Sequence, residues 1–295
     1  MENAKFTILI PTWNNLEYLK LCVRSIRENS TFPHQILIHV NEGTDGTLEW
    51  VRESHIEHTH SDQNIGICWA LNGLRPLVKT DYILYMNDDM YVLPGWDAVL
   101  WEEIERIGHN RFFLSSTLLQ PRPFYCKSVI APADFGQTVA EFRESELLEH
   151  YRDFAHGDWC GATWPPNVVH RDLWDLVGGY SVELSPGMYS DPDFSAKLWM
   201  AGVRIFKGLG ASRVYHFESR STGRVVKNKG SRQFLHKWGI TSASFVNNLL
   251  KRGAPYEAAA HPINMRKLRK DCLRSHLKRI ATSVKSLGFA RNLWE

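Results

Sequence analysis

Three short apolar segments in the first 90 residues end in polar clusters, and this pattern constrains the fold more than any other feature. The segments 5–10, 35–40 and 82–86 are rich in residues that favour β-strands. Segments with helical spacing of apolar residues lie between them, at 16–26, 47–52 and 67–78. Alternation of strand and helix predicts an α/β fold with a mostly parallel sheet and right-handed crossovers.

The polar clusters at the ends of these strands, 12–15, 41–45 and 87–89, indicate where a ligand binds. Open α/β sheets bind ligands at the carboxyl ends of their strands, and parallel strands bring these ends to one edge. The third cluster contains the adjacent carboxylates Asp88 and Asp89. Such oxygens are the ligands that Mg²⁺ or Mn²⁺ prefers, usually completed by substrate phosphates. The alternative is a solvated turn, because Asn and Asp are common turn residues.

The second half of the chain has less regular patterning. It is predicted to contain these elements: helices at 96–107, 138–151 and 168–177, and strands at 112–114, 203–206 and 214–217. Asp191 precedes Pro192 and a further predicted helix at 194–201, so it either caps that helix or accepts a proton at its start. His216 lies near the end of a strand and is either a metal ligand or a packed side chain.

Cysteine usage and the first residues of the chain bear on location. The five cysteines are odd in number and form no CxxC pair, which indicates reduced thiols and an intracellular protein. The amino terminus has no signal-peptide pattern, and no apolar run reaches the length of a membrane span. We therefore expect a cytoplasmic protein.

The carboxyl-terminal 45 residues differ in charge from the rest of the chain. Residues 251–295 contain eleven Lys or Arg and three Asp or Glu, so their net charge is +8. The net charge of the whole chain is +3, so the first 250 residues have a net charge of −5. Apolar residues recur at helical spacing in this tail: Leu273, Leu277, Ile280, Val284 and Leu287. A basic amphipathic helix suits an anionic membrane surface. The alternative is packing on the catalytic domain or on a sister chain.

The ordered set of motifs resembles the inverting glycosyltransferases of family 2, which have the GT-A fold. The resemblance covers roughly residues 4–225. The motifs are these: Pro11-Thr12-x-Asn14, Asn41-Glu42-Gly43, Asn64-x-Gly66, Asn87-Asp88-Asp89, Pro94-Gly95-Trp96, Gly178-Gly179-Tyr180, Asp191-x-Asp193 and His216. The resemblance implies a Rossmann-like α/β/α three-layer fold.

The resemblance also implies roles for individual residues. The sugar-nucleotide donor would be bound by Pro11, Thr12, Asn14, Asn41, Glu42, Asn64, Gly66, Asn87 and Asp88. Asp89 matches the metal-coordinating position of the DxD-type motif, with His216 completing a Mg²⁺ or Mn²⁺ site. Asp191 matches the catalytic base, and Arg220 and Arg224 match a loop that closes over the diphosphate. The turn at 157–161 is assigned to the acceptor side, with Trp159 stacking on a sugar and Gly161 beside it; the alternative for Trp159 is a core position.

Three positions depart from the family pattern. Asn41-Glu42 stands where Asp-Asp is common, Asn87 begins the DxD-type motif, and Ser190 replaces a Glu before the base. The central carboxylates remain, so activity is expected, but these departures put the donor's identity in doubt.

The resemblance divides the chain at residue 240. Residues 1–239 would form the GT-A domain, with donor binding in about 1–110 and the acceptor and catalytic part in about 111–239. Residues 240–295 would form a basic helical extension. The acceptors of such enzymes are often lipid-linked or cell-envelope glycans, which would place the protein peripherally on the inner face of the cell membrane.

The predicted function is metal-dependent transfer of a sugar from a nucleotide-diphospho-sugar, a UDP-sugar being favoured, to a hydroxyl of a glycan or lipid-linked acceptor. One rival is a catalytically silent sugar-nucleotide-binding or scaffold protein, which Asn87 and Ser190 would favour. A metal-dependent phosphohydrolase usually needs a denser cluster of carboxylates and histidines than this chain shows. Nucleic-acid binding is not expected, because the body is acidic and carries no such motif. GxGxxG and P-loop patterns are also absent from the sequence.

Overall fold

The structure is a computed structural model that describes residues 3–219, 228–256 and 262–291, with side chains described as far as residue 283. The strands are β1 (Phe6–Trp13), β2 (Gln35–Asn41), β3 (Glu57–Ser61), β4 (Tyr82–Tyr85), β5 (Met90–Val92), β6 (Phe112–Leu119), β7 (Val129–Ile130), β8 (Trp159–Cys160), β9 (Asn167–His170) and β10 (Ile205–His216). The helices are α1 (Leu16–Asn29), α2 (Thr47–Glu53), α3 (Gly66–Leu74), α4 (Trp96–Ile107), α5 (Glu144–His150), α6 (Arg171–Val177), α7 (Ser190–Met200), α8 (Gly230–Trp238), α9 (Ser242–Phe245) and α10 (Met265–Arg291). Short 3₁₀ turns occupy Arg75–Leu77 and Val182–Leu184, and a π-helical turn, Val246–Leu250, continues α9.

All ten strands form one sheet, in which the order of the main path is β3-β2-β1-β4-β9-β6-β10-β5. The pairings among β3, β2, β1 and β4 are parallel, and so is the pairing of β6 with β10. β9 is antiparallel to both of its neighbours, β4 and β6, while β7 and β8 pair with β6 and β10 off the main path. The predicted α/β fold with a mostly parallel sheet is confirmed.

Helices cover both faces of this sheet, which gives the predicted three layers. Ile8 and Ile10 of β1 join a core cluster with α1 and α4, whereas Leu9 joins a second cluster with α3, α6 and α7. Successive residues of a strand point to opposite faces, so a strand buried on both sides must be apolar at every position. This is why residues 6–10 read as a continuous apolar run.

β1 runs through Pro11 instead of stopping before it, which corrects the predicted strand end. Leu9 O accepts a hydrogen bond from Met86 N on the β4 side, and residues two apart in a strand point the same way. The nitrogen of Pro11 therefore faces the side where β4 pairing has already ended at Leu9. The missing N–H costs no ladder hydrogen bond there.

Several predicted boundaries in the second half are wrong. The predicted helix at 168–177 begins as β9, because its first residues pair on both sides with β4 and β6, and only Arg171–Val177 is helical. The two short strands predicted at 203–206 and 214–217 are the two ends of one long strand, β10. α5 begins at Glu144, later than predicted.

The segment after residue 240 is not separated from the body. Phe245, Val246 and Leu250 belong to the same apolar cluster as α3 and α7. Beyond them, Gly253 N donates to Cys160 O and Cys160 N donates to Ala254 O, at 2.9 and 2.8 Å. Residues 240–256 therefore pack against the rest of the chain, and the packing does not break at residue 240.

α10 contacts α8 and α9 through polar side chains. Ser275 is buried, and the Asp271 carboxylate accepts a hydrogen bond from Asn248 Nδ2 at 2.8 Å. Leu273, Leu277 and Ile280, three residues of the predicted apolar stripe, are exposed; the side chains of Val284 and Leu287 lie outside the described residues. Among the described helices, none combines the length and the apolar character needed to cross a bilayer.

Candidate functional site

A cavity of about 540 Å³ opens at the carboxyl ends of β1, β2 and β4. Its lining combines two sets of residues, which differ in the part of the chain that supplies them. The strand-tip side is Thr12, Asn41, Asp88 and Asp89, which follow or end β1, β2 and β4. The loop side is Phe124, Trp164, Met188 and Asp191, which come from later connections and the start of α7.

Ten of the residues predicted from the sequence to form the site line this one cavity. They are Pro11, Thr12, Asn41, Asn64, Gly66, Asn87, Asp88, Asp89, Asp191 and His216. The structure thus brings together side chains that lie up to about two hundred positions apart, as parallel topology predicts for strand tips.

Asp88 is a buried carboxylate at the floor of the strand-tip side. Thr12 Oγ1 donates a hydrogen bond to Asp88 Oδ2 at 2.7 Å, which fixes its position against β1. Burial and the charge of Asp89 beside it together raise the pKa of Asp88 to about 7, while the Thr12 hydrogen bond acts in the opposite direction. Two adjacent buried carboxylates repel each other, so this floor favours a cationic ligand.

Asp89 is held by His216 and by the backbone. Its Oδ1 lies 3.3 Å from His216 Nε2, and its Oδ2 accepts a hydrogen bond from Ser219 N at 2.7 Å. Burial alone would raise the pKa of Asp89, but attraction to His216 and these hydrogen bonds hold the pKa below its ordinary value. On the far side of the His216 ring, Gln120 Nε2 lies 2.9 Å from His216 Nδ1. His216 Nδ1 accepts this hydrogen bond when the imidazole proton is on His216 Nε2.

These residues fit a divalent cation only as part of a larger ligand set. Among the residues that the structure describes, no group of three or more His, Cys, Asp and Glu side chains could hold a metal. Asp89 and His216 would supply two ligands, and Mg²⁺ is commonly bound by one or two carboxylates together with substrate phosphates. The donor set therefore suits a metal that arrives with a diphosphate.

Asp191 presents a carboxylate to the same cavity from the first turn of α7. It does not cap the helix: the cap position is Tyr189, at φ +70°, and no side chain caps the helix there. Asp191 Oδ1 is buried and makes no hydrogen bond within the described part of the chain. Burial raises the pKa of Asp191 to about 7, and Arg252 acts in the opposite direction. A carboxyl group with such a pKa can take up a proton near neutral pH.

Asn41 links the strand tips to the loop that carries Asn64. Its Nδ2 donates to Thr12 O at 3.1 Å, and its Oδ1 accepts from Ile65 N at 2.9 Å. Gly66 follows at φ +77°, and a Cβ there would lie 2.6 Å from Pro186 Cα. Glycine at this position therefore allows the loop before Asp191 to approach α3 closely.

Asn14 and Glu42 are outside the cavity lining and brace the two strand-tip loops instead. Asn14 Oδ1 accepts from the backbone N–H groups of Gly43 and Thr44, and Asn14 Nδ2 donates to Glu42 Oε2 at 3.1 Å. At the start of α1, Asp45 Oδ2 accepts a hydrogen bond from Leu16 N at 2.9 Å, and no side chain at Asn15 caps the helix. These polar side chains hold loops in shape; the structure does not bring them to the cavity.

Trp159 and Gly161 are also absent from the lining. Trp159 is 3% exposed, its Nε1 donates to Thr117 Oγ1 at 2.9 Å, and its ring covers Gly208, where a Cβ would lie 1.8 Å from the indole. Gly161 packs against the backbone of Arg252. The predicted stacking of Trp159 on an acceptor disagrees with this placement, because its face is already covered by β10.

A different aromatic pair lies in the cavity. Phe124 and Trp164 meet edge to face, with ring centroids 5.7 Å apart, and both line the cavity. The Arg252 guanidinium carbon lies 3.7 Å from the centroid of a Trp164 ring. Sequence reasoning missed these residues because they lie in irregular segments without periodicity. Their one signal was the aromatic and proline content of 121–125 and 164–166.

The loop after β10 contributes Glu218 and Ser219 to the lining, which sequence reasoning also missed. The Ser219 contact to Asp89 is made by the backbone, so side-chain chemistry could not reveal it. Arg220 and Arg224, assigned to a closing loop, lie outside the described residues.

Comparison with known proteins identifies the first part of the chain. Residues 7–118 match the family model described as "Glycosyl transferase family 2". This segment belongs to that family. It contains β1 to β6, and with them the Thr12, Asn41, Asp88 and Asp89 side of the cavity. No curated protein sequence matches the chain.

Solved structures of S. aureus TarS share the fold of this chain. The TarS 1–349 complex with UDP aligns at 14% identity and TM-score 0.52, over 72% of this chain and 60% of TarS 1–349. The TarS 1–349 complex with UDP-GlcNAc aligns at 14% identity and TM-score 0.52, over 73% of this chain and 61% of TarS 1–349. A further structure of TarS 1–349 aligns at 13% identity and TM-score 0.53, over 97% of this chain and 92% of TarS 1–349. In the two complexes the chain thus spans about three fifths of the relative. At this identity the likeness shows the GT-A architecture.

Proposed function

We propose that this protein transfers a sugar from a nucleotide-diphospho-sugar donor to a hydroxyl group of a glycan or lipid-linked acceptor, with inversion at the anomeric carbon. The observation that carries the proposal is the placement of Asp191. Its Oδ1, which has no hydrogen-bond partner among the described residues, and the Asp88–Asp89 floor belong to the lining of one cavity. Supporting it, the family match covers the strand-tip side, and the similar TarS chain binds UDP and UDP-GlcNAc.

The strand-tip side would hold the donor. Thr12, Asn41 and Asn64 present hydroxyl and amide groups suited to a nucleoside, and Asp88 is a buried acceptor for sugar or ribose hydroxyls. A UDP-sugar is the favoured donor on the strength of the two TarS complexes. Asn41-Glu42 and Asn87 depart from the family pattern, so base and sugar preference are part of what the experiment must determine.

Asp89 and His216 would hold Mg²⁺ or Mn²⁺ together with the donor's diphosphate. When bound, the metal would neutralise negative charge that grows on the leaving phosphate oxygens. The protein's own part is to keep Asp89 ionised and oriented, which the His216 contact and the Ser219 N–H accomplish. An Asp89 that stayed protonated at neutral pH could not serve this purpose.

Asp191 would act as the general base. An acceptor hydroxyl has a pKa far above 7, so a carboxylate must take its proton as the new glycosidic bond forms. The hydroxyl oxygen bonds to the anomeric carbon, the bond from that carbon to the diphosphate breaks, and the proton passes to Asp191. One displacement with one base inverts the anomeric centre. A base with a pKa near 7 is matched to this task at neutral pH.

Phe124 and Trp164 would form the acceptor end. They lie in the same lining as Asp191, and Phe124 is 41% exposed, so an aromatic surface is available to a sugar ring. This assignment replaces Trp159, whose ring is covered.

Nucleotide-sugar binding is the test that separates this proposal from unrelated functions. UDP-, GDP- and dTDP-sugars are each added with Mn²⁺, and the melting temperature is measured. A UDP-sugar present at about 100 times its Kd should raise the unfolding free energy by about 2.7 kcal/mol, or the melting temperature by about 5 °C. No shift with any nucleotide-sugar would reject the proposal.

A second measurement separates the enzyme from the silent binder, which Asn87 and Ser190 would favour. Ser190 stands where the family pattern has a Glu, so the carboxylate of that Glu is missing beside Asp191. The Ser190 hydroxyl instead donates a hydrogen bond to Gly187 O at 2.6 Å. Donor hydrolysis or transfer is followed by release of the nucleoside diphosphate. Turnover excludes the silent binder, whereas a melting shift without turnover supports it.

A further inference from the structure

α10 packs on the body through its polar face. Ser275 is 2% exposed, and Asp271 Oδ2 accepts a hydrogen bond from Asn248 Nδ2. About two turns beyond Ser275, Thr282 Oγ1 lies 3.0 Å from His236 Nε2, and Thr282 O accepts from Arg232 at 2.8 Å. The hydrogen bonds from this face to the body are therefore made by hydroxyls, a carboxylate and a backbone carbonyl, and Leu268 and Arg279 on the same face are half-buried.

The apolar stripe of the same helix is turned away from the body. Leu273, Leu277 and Ile280 are 63%, 60% and 49% exposed. Leu273 and Leu277 are each two residues from buried Ser275, so they lie about 160° around the helix from it. A surface helix normally buries such a stripe, because each large aliphatic side chain gains about 1.5–3 kcal/mol on full burial. Something outside the described chain is needed to cover this face.

The charges beside the stripe indicate what covers it. Within 265–283 seven residues are Lys or Arg, whereas the single acidic residue, Asp271, accepts a hydrogen bond from Asn248 and lies 3.6 Å from Arg274 Nη1, whose side chain is 67% exposed. Arg269, Lys270 and Arg274 are exposed and lie close to the stripe in helical projection. A second copy of the chain would bring the same positive helix against this one, and like charges at close range oppose such pairing.

We propose that the outer face of α10, defined by Leu273, Leu277 and Ile280 with the flanking Arg269, Lys270 and Arg274, docks on a bilayer surface that carries anionic lipids. The aliphatic side chains enter the boundary between headgroups and acyl chains, and the cations meet lipid phosphates and other anionic headgroups. The helix lies along the surface. The inference does not depend on the reaction proposed above.

Vesicle co-sedimentation of the full chain tests this inference. Vesicles of phosphatidylcholine alone are compared with vesicles that contain 30 mol% phosphatidylglycerol. The wild-type chain should partition at least tenfold more strongly to the anionic vesicles, and 0.5 M NaCl should remove most of this difference because it screens surface charges. The variant Leu273→Ser/Leu277→Ser should bind the anionic vesicles at least tenfold more weakly.

The matched control is Leu176→Ser/Met200→Ser, which removes two apolar side chains exposed by 70% and 72% elsewhere on the surface. This control should bind like the wild-type chain. The charge variant Arg269→Gln/Lys270→Gln/Arg274→Gln should lose the preference for anionic vesicles. The melting temperature with and without UDP reports whether each variant is folded and binds donor, independently of vesicles.

Three results would overturn the inference. The first is equal partition to neutral and anionic vesicles, and the second is no binding to either. The third is a dimer in light scattering that Leu273→Ser/Leu277→Ser converts to a monomer, since the stripe would then be buried between two copies of the chain.

Discussion

The two sides of the cavity differ in how their carboxylates are held. On the strand-tip side, Asp88 and Asp89 accept hydrogen bonds from Thr12, from Ser219 N and from the His216 ring. On the loop side, Asp191 Oδ1 has no partner among the described residues, and burial raises its pKa to about 7. The contacts of Asp89 hold its pKa below the ordinary value and so preserve its charge for binding, whereas the pKa of Asp88 beside it is raised to about 7. Asp191 is a carboxylate ready to exchange a proton. Because the two sides hold their carboxylates differently, a substitution on one side should leave the function of the other intact.

Removing the proton acceptor should have the largest effect. Asp191→Asn keeps the shape of the side chain but cannot take a proton, so kcat for sugar transfer should fall by about 10²–10⁴. Donor binding, measured as the melting shift with a UDP-sugar and Mn²⁺, should stay within about twofold of wild type. Asp172→Asn is the control, since Asp172 lies in the first turn of α6 with its side chain 70% exposed.

Stability should change in the opposite direction to activity in the same variant. The pKa of Asp191 is higher in the folded state than the usual value of about 4, so ionisation of Asp191 destabilises the fold as pH rises from about 4 to 7. Asp191→Asn should therefore be more stable than wild type at pH 8, by about 2 kcal/mol, because one pKa unit corresponds to about 1.4 kcal/mol and the cavity is partly open to water. Near-wild-type transfer by Asp191→Asn would refute the base assignment.

Loss of Asp89 should impair the strand-tip side and leave the loop side intact. Asp89→Ala removes the carboxylate that is proposed to bind the metal, so the Mn²⁺-dependent part of donor binding should disappear and kcat/KM should fall at least 100-fold. Isothermal titration with UDP, with and without Mn²⁺, measures this. Asp62→Ala, at a side chain that is 99% exposed, is the control. Turnover unaffected by EDTA in the wild-type protein would contradict the metal role.

Trimming the aromatic pair should affect only the loop side. Phe124→Ala removes an exposed ring beside Trp164, and stacking of this kind contributes about 1 kcal/mol, so the acceptor KM should rise about fivefold. The donor KM should not change. The neighbouring Tyr125 is fully exposed and does not line the cavity, which makes Tyr125→Ala a matched control. Equal effects of the two variants would remove the acceptor assignment.

The smallest effect is a displacement of the pH profile. The ionised form of Asp191 is the active base, so kcat/KM should rise with pH through about 7 and level off above it. Burial and the charge of Asp191 raise the pKa of Cys68, Tyr85 and Tyr180, so these three neighbours stay neutral in this range. Arg252 is the charge that lowers the pKa of Asp191, so Arg252→Gln should move the acid limb to higher pH.

The control for this experiment is Arg204→Gln, which removes a guanidinium stacked on Trp199 at 4.1 Å, outside the cavity lining. It should leave the limb in place. If Arg252→Gln lowers kcat at all pH values but does not shift the pH at which kcat/KM rises, Arg252 has a structural role only.

The contrast between the two sides also explains what the sequence could predict. Thr12, Asn41, Asp88 and Asp89 follow short apolar strands, and parallel topology alone requires such tips to converge. Their convergence was therefore visible in the one-dimensional pattern. Local spacing left Asp191 with two explanations, a helix cap or a proton acceptor, and its assignment as the base came from resemblance to a family.

Phe124, Trp164 and Arg252 could not be predicted, because tertiary contacts between irregular segments place them. Trp159 illustrates the same difficulty from the other direction. Its turn-like setting of glycines suggested exposure, but pairing of β8 with β10 buried the ring. β9 was missed for a related reason: a four-residue antiparallel strand that leads directly into α6 has no pattern that distinguishes it from the first turn of a helix.

The backbone pairing of residues 253–254 with Cys160 has a consequence for protein engineering. This pairing holds Arg252 against the ring of Trp164, where its charge acts on Asp191. A chimera joined at residue 240 would remove that charge along with the tail. Grafting this catalytic unit onto another carboxyl-terminal module would need a junction beyond Tyr256, whose N–H still bonds to Asp158 O.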